Sequence, residues 1–455
     1  MLRRARSPLT MHESTGYRAV DFALADLARN SPEVASAARA GFESLTWGEG
    51  PEAVTGHGLA DFLWYQLPLK WMTDLDKKLQ IAAALAELFT RLGKPRYAAL
   101  CASPTTAAIL TAYEHDGETA GLKAYRTALA ATGYAPPDIP GVIEWGTVMG
   151  SDEASAYWSA SVALEQAIDA GHLKPGAPGW RTAAQRVATR FLHSPRDDVT
   201  GATWLQWMNT ELLERWANSR GPTRSRLAAA IADHLTNPTP TPVEAAHHVA
   251  PMQWLLDHAA TGAALTQTGN LARPIVADGC RRFDWLTLTG NPRSESDIVE
   301  LWTLRDLAKQ MGAIRRSGRK LLLSTTGKAV HAGGTDRLWD ATMSCLPGPG
   351  ESEAAAAEIA LMLLLGDHPM GYQDLNEAVA QALAEEGWRN QRTGQPTTED
   401  QAASLLVELR RRLELLSLTI ERRFDHPTQL NDAGRRAAQT ALRTRALRRG
   451  SHPHE

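Results

Sequence analysis

The chain is expected to be mainly α, with an all-helical N-terminal domain at 1–236 and two further domains, 244–346 and 354–449, whose helices carry a short β-hairpin. Three observations predict this. Apolar residues recur at spacings of three and four over most of the first 236 positions, with almost no strand-like alternation. Asn237-Pro-Thr-Pro-Thr-Pro-Val243 sets prolines at alternate positions, which excludes helix and marks a linker. Beyond it one segment is written twice, as Leu304 to Lys328 and as Leu406 to Arg435, and internal duplication fixes architecture. A length of 455 residues also exceeds one core and predicts two to four domains.

In the first domain, Asp74–Leu92 places Leu75, Leu79, Ala82, Leu85, Phe89 and Leu92 on one helical face, with Gly93 as the stop. Ser103-Pro104 pairs an N-cap with proline at the first helical position and opens the stretch of Ile109, Leu110 and Tyr113. Ser151 is read as the cap of a helix through Ile168, and helices follow at Arg181–Phe191 and Thr203–Trp216. Nine of the fourteen tryptophans fall here, among them Trp47, Trp64 and Trp158, and are read as fillers of a helical core. A pocket for a planar ligand is the alternative.

After the proline stretch, a helix runs from Glu244 to about Ala260. Ser294-x-x-Asp297 is an approximate capping box, opening a helix with Ile298, Leu301, Leu304, Ala308 and Met311 on one face. Arg305 and Lys309, four apart, share another face. Gly312 stops the helix, and Ser317-Gly318 is the turn of a hairpin between Ile314 and Leu323. Ser324 caps the helix that carries Lys328. Pro347-Gly-Pro-Gly350 then reads as a second boundary, and the plan repeats. Thr398-x-x-Gln401 caps, Leu406, Leu409, Leu413 and Leu416 form the stripe, and a hairpin spans Leu418–Leu430. Asn431 caps a closing helix.

Charge is local rather than global. Residues 1–250 hold 23 basic and 26 acidic side chains and 251–455 hold 25 of each, for a net −3 overall. Yet 301–330 holds seven Lys/Arg against Asp306 alone, and 405–449 holds eleven Arg against five acids, a surplus of six in each copy. Phosphate affinity follows such clusters, not the overall balance.

With these residues in place, both copies resemble the winged-helix domains of bacterial regulators, in which a helix, a basic hairpin and Leu-Ser/Thr-x-x-Gly-Arg/Lys recur, with Asn431 standing for the Ser/Thr in the second copy. The whole chain is also similar to uncharacterised actinobacterial proteins with a helical front half and this tail. The resemblance implies helix-turn-helix docking on duplex DNA. The helix before each hairpin would enter the major groove, presenting Arg305 and Lys309 or Arg410, Arg411 and Arg412. The hairpins and closing helices would contact phosphate through Arg315, Arg316, Arg319, Lys320, Lys328, Arg422, Arg423, Arg435 and Arg436. The expected function is non-enzymatic DNA binding, regulatory in kind, with the helical domain as sensor or self-association platform. Charge runs of this kind are usually solvated helix faces and ordinary hairpin ends, and Asp306, Glu408, Glu414 and Glu421 favour that reading. A protein-docking scaffold, or an accessory protein of a mobile element or defence system, are the alternatives.

Chemistry of other kinds is not written in the sequence. No P-loop, nucleophile elbow, H-E-x-x-H or C-x-x-C occurs, so neither catalytic residues, metal nor cofactor are expected. His247 and His248 are adjacent, hence on different faces, and are read as solvated or capping. Asp152-Glu153 and Asp197-Asp198 are helix-start and loop acids. Three scattered cysteines, with Cys101 read as a buried thiol, fit a reducing cytoplasm. The basic start lacks an apolar core for a secretory signal, and Ile359–Leu365 is too short to span a bilayer, so no membrane partner is expected.

Overall fold

A computed structural model describes residues 11–48, 50–139, 142–146, 148–196, 201–218, 221–285, 294–366, 368–420 and 427–448, with side chains from residue 18 onward. The chain is mainly helical, and its one assigned sheet has three short strands. Among the described residues, no helix is long and apolar enough to cross a membrane.

Two compact units divide at Met208/Asn209. Unit 1 holds α1 (Met11–Asn30), α2 (Pro32–Thr46), α3 (Gly56–Asp61), α4 (Leu67–Lys70), α5 (Leu75–Arg91), α6 (Pro95–Cys101), α7 (Pro104–His115), α8 (Glu118–Thr132), α9 (Ser151–Asp169) and α10 (Trp180–Leu192). Asp74 caps α5 through the amide of Lys77, and Ser103 caps α7 through that of Thr106. At α9 the cap position is Gly150, and Ser151 is already helical, a one-residue correction. The largest apolar cluster of the unit gathers Phe62, Leu63, Leu85, Leu88 and Phe89. Trp64 is buried there, its Nε1 donating to Thr106 Oγ1 at 2.8 Å. Trp47 and Trp158 are instead exposed, at 78% and 43%, so the tryptophans are not uniformly core. Burial pushes the Cys101 thiol well up, as expected of an inert buried cysteine.

α11 (Trp204–Asn218) spans the division. Unit 2 then runs through α12 (Pro222–Thr236), α13 (Ala245–His248), α14 (Ala250–Thr261), β1 (Ala263–Ala264), α15 (Arg273–Phe283), α16 (Val299–Gln310), β2 (Ile314–Ser317), β3 (Lys320–Leu323), α17 (Thr325–Ala332) and α18 (Gly334–Met343). It closes with α19 (Glu351–Leu364), α20 (Tyr372–Glu385), α21 (Glu399–Leu405), α22 (Val407–Leu415) and α23 (Asp432–Ala446). The helix expected from Glu244 is broken at Val249 into α13 and α14.

The division expected near 237 lies elsewhere. Ile231 and Leu235 of α12 enter the core of unit 2. The proline stretch is held against α23, with Arg436 donating to the Pro240 carbonyl at 3.2 Å. A tie of that kind makes it a surface strap rather than a linker. Pro347–Gly350 likewise turns between two helices of one core instead of parting two domains.

The reason is α19. Its residues Ala354–Met362 are buried all round, as suits a helix at the centre of a unit rather than on its surface. Glu358 is the one charge in that buried run. It accepts from Arg224 Nη1 at 2.6 Å, Arg445 Nε at 2.7 Å and Trp216 Nε1 at 3.2 Å. Burial alone would raise its carboxyl, but the two guanidinium groups outweigh that and hold it below the usual range. Arg224, fully buried, also reaches Glu386 at 2.5 Å. Sequence separations of 134 and 162 residues make this network invisible to local pattern.

Candidate nucleic-acid interface

The repeated ending folds the same way twice. α16 ends where Gly312 turns left-handed, at φ 63°, and α22 ends where Ser417 does the same at φ 52°. In the first copy β2 and β3 then pair antiparallel, Ile314 with Leu323 through Ser317 with Lys320, and β1 adds to the far edge of β3. In the second, Thr419 bridges Leu430 and Met370 bridges Thr428, both antiparallel, so the same three-part order returns among the described residues. The tip of that second hairpin, with Arg422 and Arg423, lies outside the described residues.

The caps explain the repeated Ser/Asn-x-x-Gly. Ser324 Oγ accepts from the Gly327 amide at 2.8 Å, and Asn431 Oδ1 from the Gly434 amide at 2.8 Å. A β-carbon on Gly327 would collide with the Ala313 carbonyl oxygen, and one on Gly434 with that of Leu418. Glycine is required because the closing helix presses on the backbone that starts the hairpin. Both expected capping boxes are present, but Ser294/Asp297 closes a short 3-10 turn, Glu295–Asp297, and α16 starts separately at Val299. Thr398/Gln401 likewise opens α21, and α22 follows after a break at Leu406.

The described cations fall into an exposed set and an engaged set. Arg315, Arg316, Arg319 and Lys320 all lie on the first hairpin and are exposed, as are Lys309 and Lys328. None of these six has a carboxylate partner among the described residues, and Arg316 makes only a local bond from Nε to the Gly318 carbonyl at 3.0 Å. Ile314, Leu321 and Leu323 are buried beneath, so the hairpin is anchored by its apolar face.

Elsewhere the expected contact residues are engaged. Arg305 donates to Glu295 at 2.6 Å and to the Gly269 carbonyl at 2.9 Å, fastening the turn before α15 to the start of α16. Arg410 stacks over Tyr372 at 4.2 Å and donates to Asn376 at 2.5 Å; desolvation lowers its pKa. Arg411 pairs with Glu408 at 2.6 Å. Arg412, expected on an exposed face, is a correction: it is 2% exposed and donates to the carbonyls of Cys345 and Leu346 at 2.8 and 3.2 Å. The Leu-rich stripe of α22 does not separate buried from exposed arginine, because α22 is covered on more than one side. Arg435 donates to the Leu365 carbonyl at 2.8 Å, closing the end of α19.

The cover is α16 itself. The two helices that precede the hairpins pack on each other, with Arg412 on Asp306 at 3.2 Å and Arg411 over the Trp302 ring at 5.9 Å. Nothing in the sequence separated this mutual packing from two free helices. His248, read as solvated or capping, is buried, its Nδ1 2.9 Å from the carbonyl of Leu416, the residue that ends α22. No group of three metal-ligating side chains occurs among the described residues. Asp197 and Asp198 lie outside them.

Comparison with protein-family models, curated proteins and solved structures found no match.

Proposed function

We propose that the two copies are winged-helix units and that the protein is a non-enzymatic binder of duplex DNA. The contact is made through phosphates by the first hairpin. One observation carries this: Arg315, Arg316, Arg319 and Lys320 stand exposed within six residues of a rigidly anchored hairpin, with no acidic partner among the described residues. Four phosphate contacts give a log K against log salt slope of about −3 to −4. Base readout contributes little in this reading, because Arg305, Arg410 and Arg412 are held by protein groups. The binding is therefore directed at the backbone rather than at a sequence. Titration of the full chain with labelled duplexes of unrelated sequence at two salt concentrations tests it. Salt-steep binding to all of them supports the reading, and no retention at low salt removes it.

A second reading, docking of another protein, is favoured by the α16–α22 seam. Trp302 and Val299 are exposed there at 47% and 48%, beside Arg411. Exposed tryptophan with arginine is the composition of interface centres. Such a contact would depend only weakly on salt.

A further inference from the structure

Unit 1 holds a second chemistry, centred on Asp61. Helix α3 runs into a π-helical segment, Phe62–Gln66, and π insertions often mark functional sites. The wider π turn sets residue i+5 above residue i, which is why Gln66 Nε2 reaches Asp61 Oδ2 at 2.8 Å. The other oxygen, Oδ1, accepts from Tyr125 Oη at 3.1 Å. Both donors are neutral. Among the described residues Asp61 has no cationic partner, although its side chain is half-buried.

Aromatic rings gather near this carboxylate from α3, the π-helical segment, α7, α8 and α9. Tyr65 and Tyr125 lie with centroids 5.9 Å apart and planes tilted by only 31°. One turn before Asp61, His57 packs against Tyr157 at 5.4 Å and Trp158 at 4.6 Å. Tyr113 from α7 places a hydroxyl nearby that has no hydrogen-bond partner. Burial, chiefly, and then neighbouring groups including Asp61 push the phenols of Tyr113 and Tyr157 up to about 12. The carboxylate's field thus reaches both rings. His57 does not supply the missing positive charge, since burial takes its imidazole down to about 4 and leaves it neutral at ordinary pH. Tyr65, Tyr125 and Tyr157 are half-buried, each keeping part of its surface in solvent.

We propose that Asp61 with Tyr65, Tyr125 and Tyr157 binds an alkylated ammonium group. A bare metal ion is a poor fit, because no cluster of three metal-ligating side chains stands among the described residues. Alkylation suits aromatic walls, where the ring faces attract the charge and also cover the methyl groups. The Lys70 ammonium stands 5.8 Å from the Tyr65 centroid, so one face of that ring already meets a cation of the chain itself.

Calorimetric titration of the full chain with tetramethylammonium, choline and a trimethyllysine peptide tests the proposal, with potassium chloride as the ionic-strength control. Saturable binding of the alkylated cations and none of potassium is expected. Asp61→Asn, which keeps acceptor oxygen in place, should weaken it by about tenfold or more, the Coulombic share of a half-buried pair. Tyr65→Phe should retain binding and Tyr65→Leu should lose it, with melting curves showing that each variant folds. Tighter binding of the peptide than of choline assigns the ligand to a protein side chain, and the reverse to a free small molecule. An equal response to potassium, or undiminished binding by Asp61→Asn, overturns it.

Discussion

Arg412 donates from Nη2 to Oδ2 of Asp306 at 3.2 Å, and through this pair the helix before one hairpin is tied to the helix before the other. The guanidinium is almost wholly buried while Asp306 keeps partial access to water. Nη1 donates to the carbonyls of Cys345 and Leu346 just past the end of α18, and Nε is buried without a hydrogen-bond partner. One side chain therefore joins α16, α18 and α22.

Arg412→Ala should destabilise unit 2 by about 2–4 kcal/mol, combining lost bonds to buried carbonyls with an unfilled volume. Arg412→Met, which fills the space without the charge, should recover part of this. Thermal melts of the full chain measure both. An unchanged transition in Arg412→Ala would show that α16 and α22 hold together by apolar packing alone.

Gly327→Ala and Gly434→Ala should each cost about 1–3 kcal/mol, because the new methyl collides with a backbone carbonyl that cannot swing away. Gly318→Ala is the contrast. It faces open space at φ 59°, so only the left-handed backbone resists it, at about 1 kcal/mol. Equal losses at Gly318 and Gly327 would contradict the steric account of the repeated motif.

Replacing Arg315, Arg316 and Arg319 together by alanine should weaken duplex binding for every sequence and flatten the salt slope by about one unit per residue. Arg410→Ala and Arg411→Ala should leave relative preference among sequences unchanged, since both side chains are bonded within unit 2. A shift in sequence preference measured by competition would place α22 in a groove after all.

Acid should unfold unit 1 through His57. Its folded value, near 4, lies below the unfolded 6.5, so the fold favours the neutral ring. The stability is complete above about pH 6.5 and is lost as the pH falls toward 4, by up to about 3 kcal/mol. Unit 1 melting followed across that window should fall, and His57→Phe should flatten the fall. A flat profile in the unsubstituted chain would be the contrary result.

The sequence by itself determined much of the local structure. Caps at Ser103, Ser324 and Asn431, the stop at Gly312 and the hairpin turn at Ser317-Gly318 stand where their chemistry placed them. Each depends on bonds or dihedrals spanning only a few residues, and such signals survive in any context. The cation-rich first hairpin was legible for the same reason: its buried Leu321 and Leu323 alternate with side chains that face out.

Only the tertiary structure decided which charges were free. Arg319 and Arg412 look alike in a run of basic residues, yet one is exposed and the other is 2% exposed. The unit boundary and the Asp61 cluster were equally hidden. Arg224 meets Glu358 across 134 residues, and Tyr125 meets Asp61 across 64. Pairings at such separations arise from how helices pack, and helical periodicity says which face is apolar without saying which partner covers it.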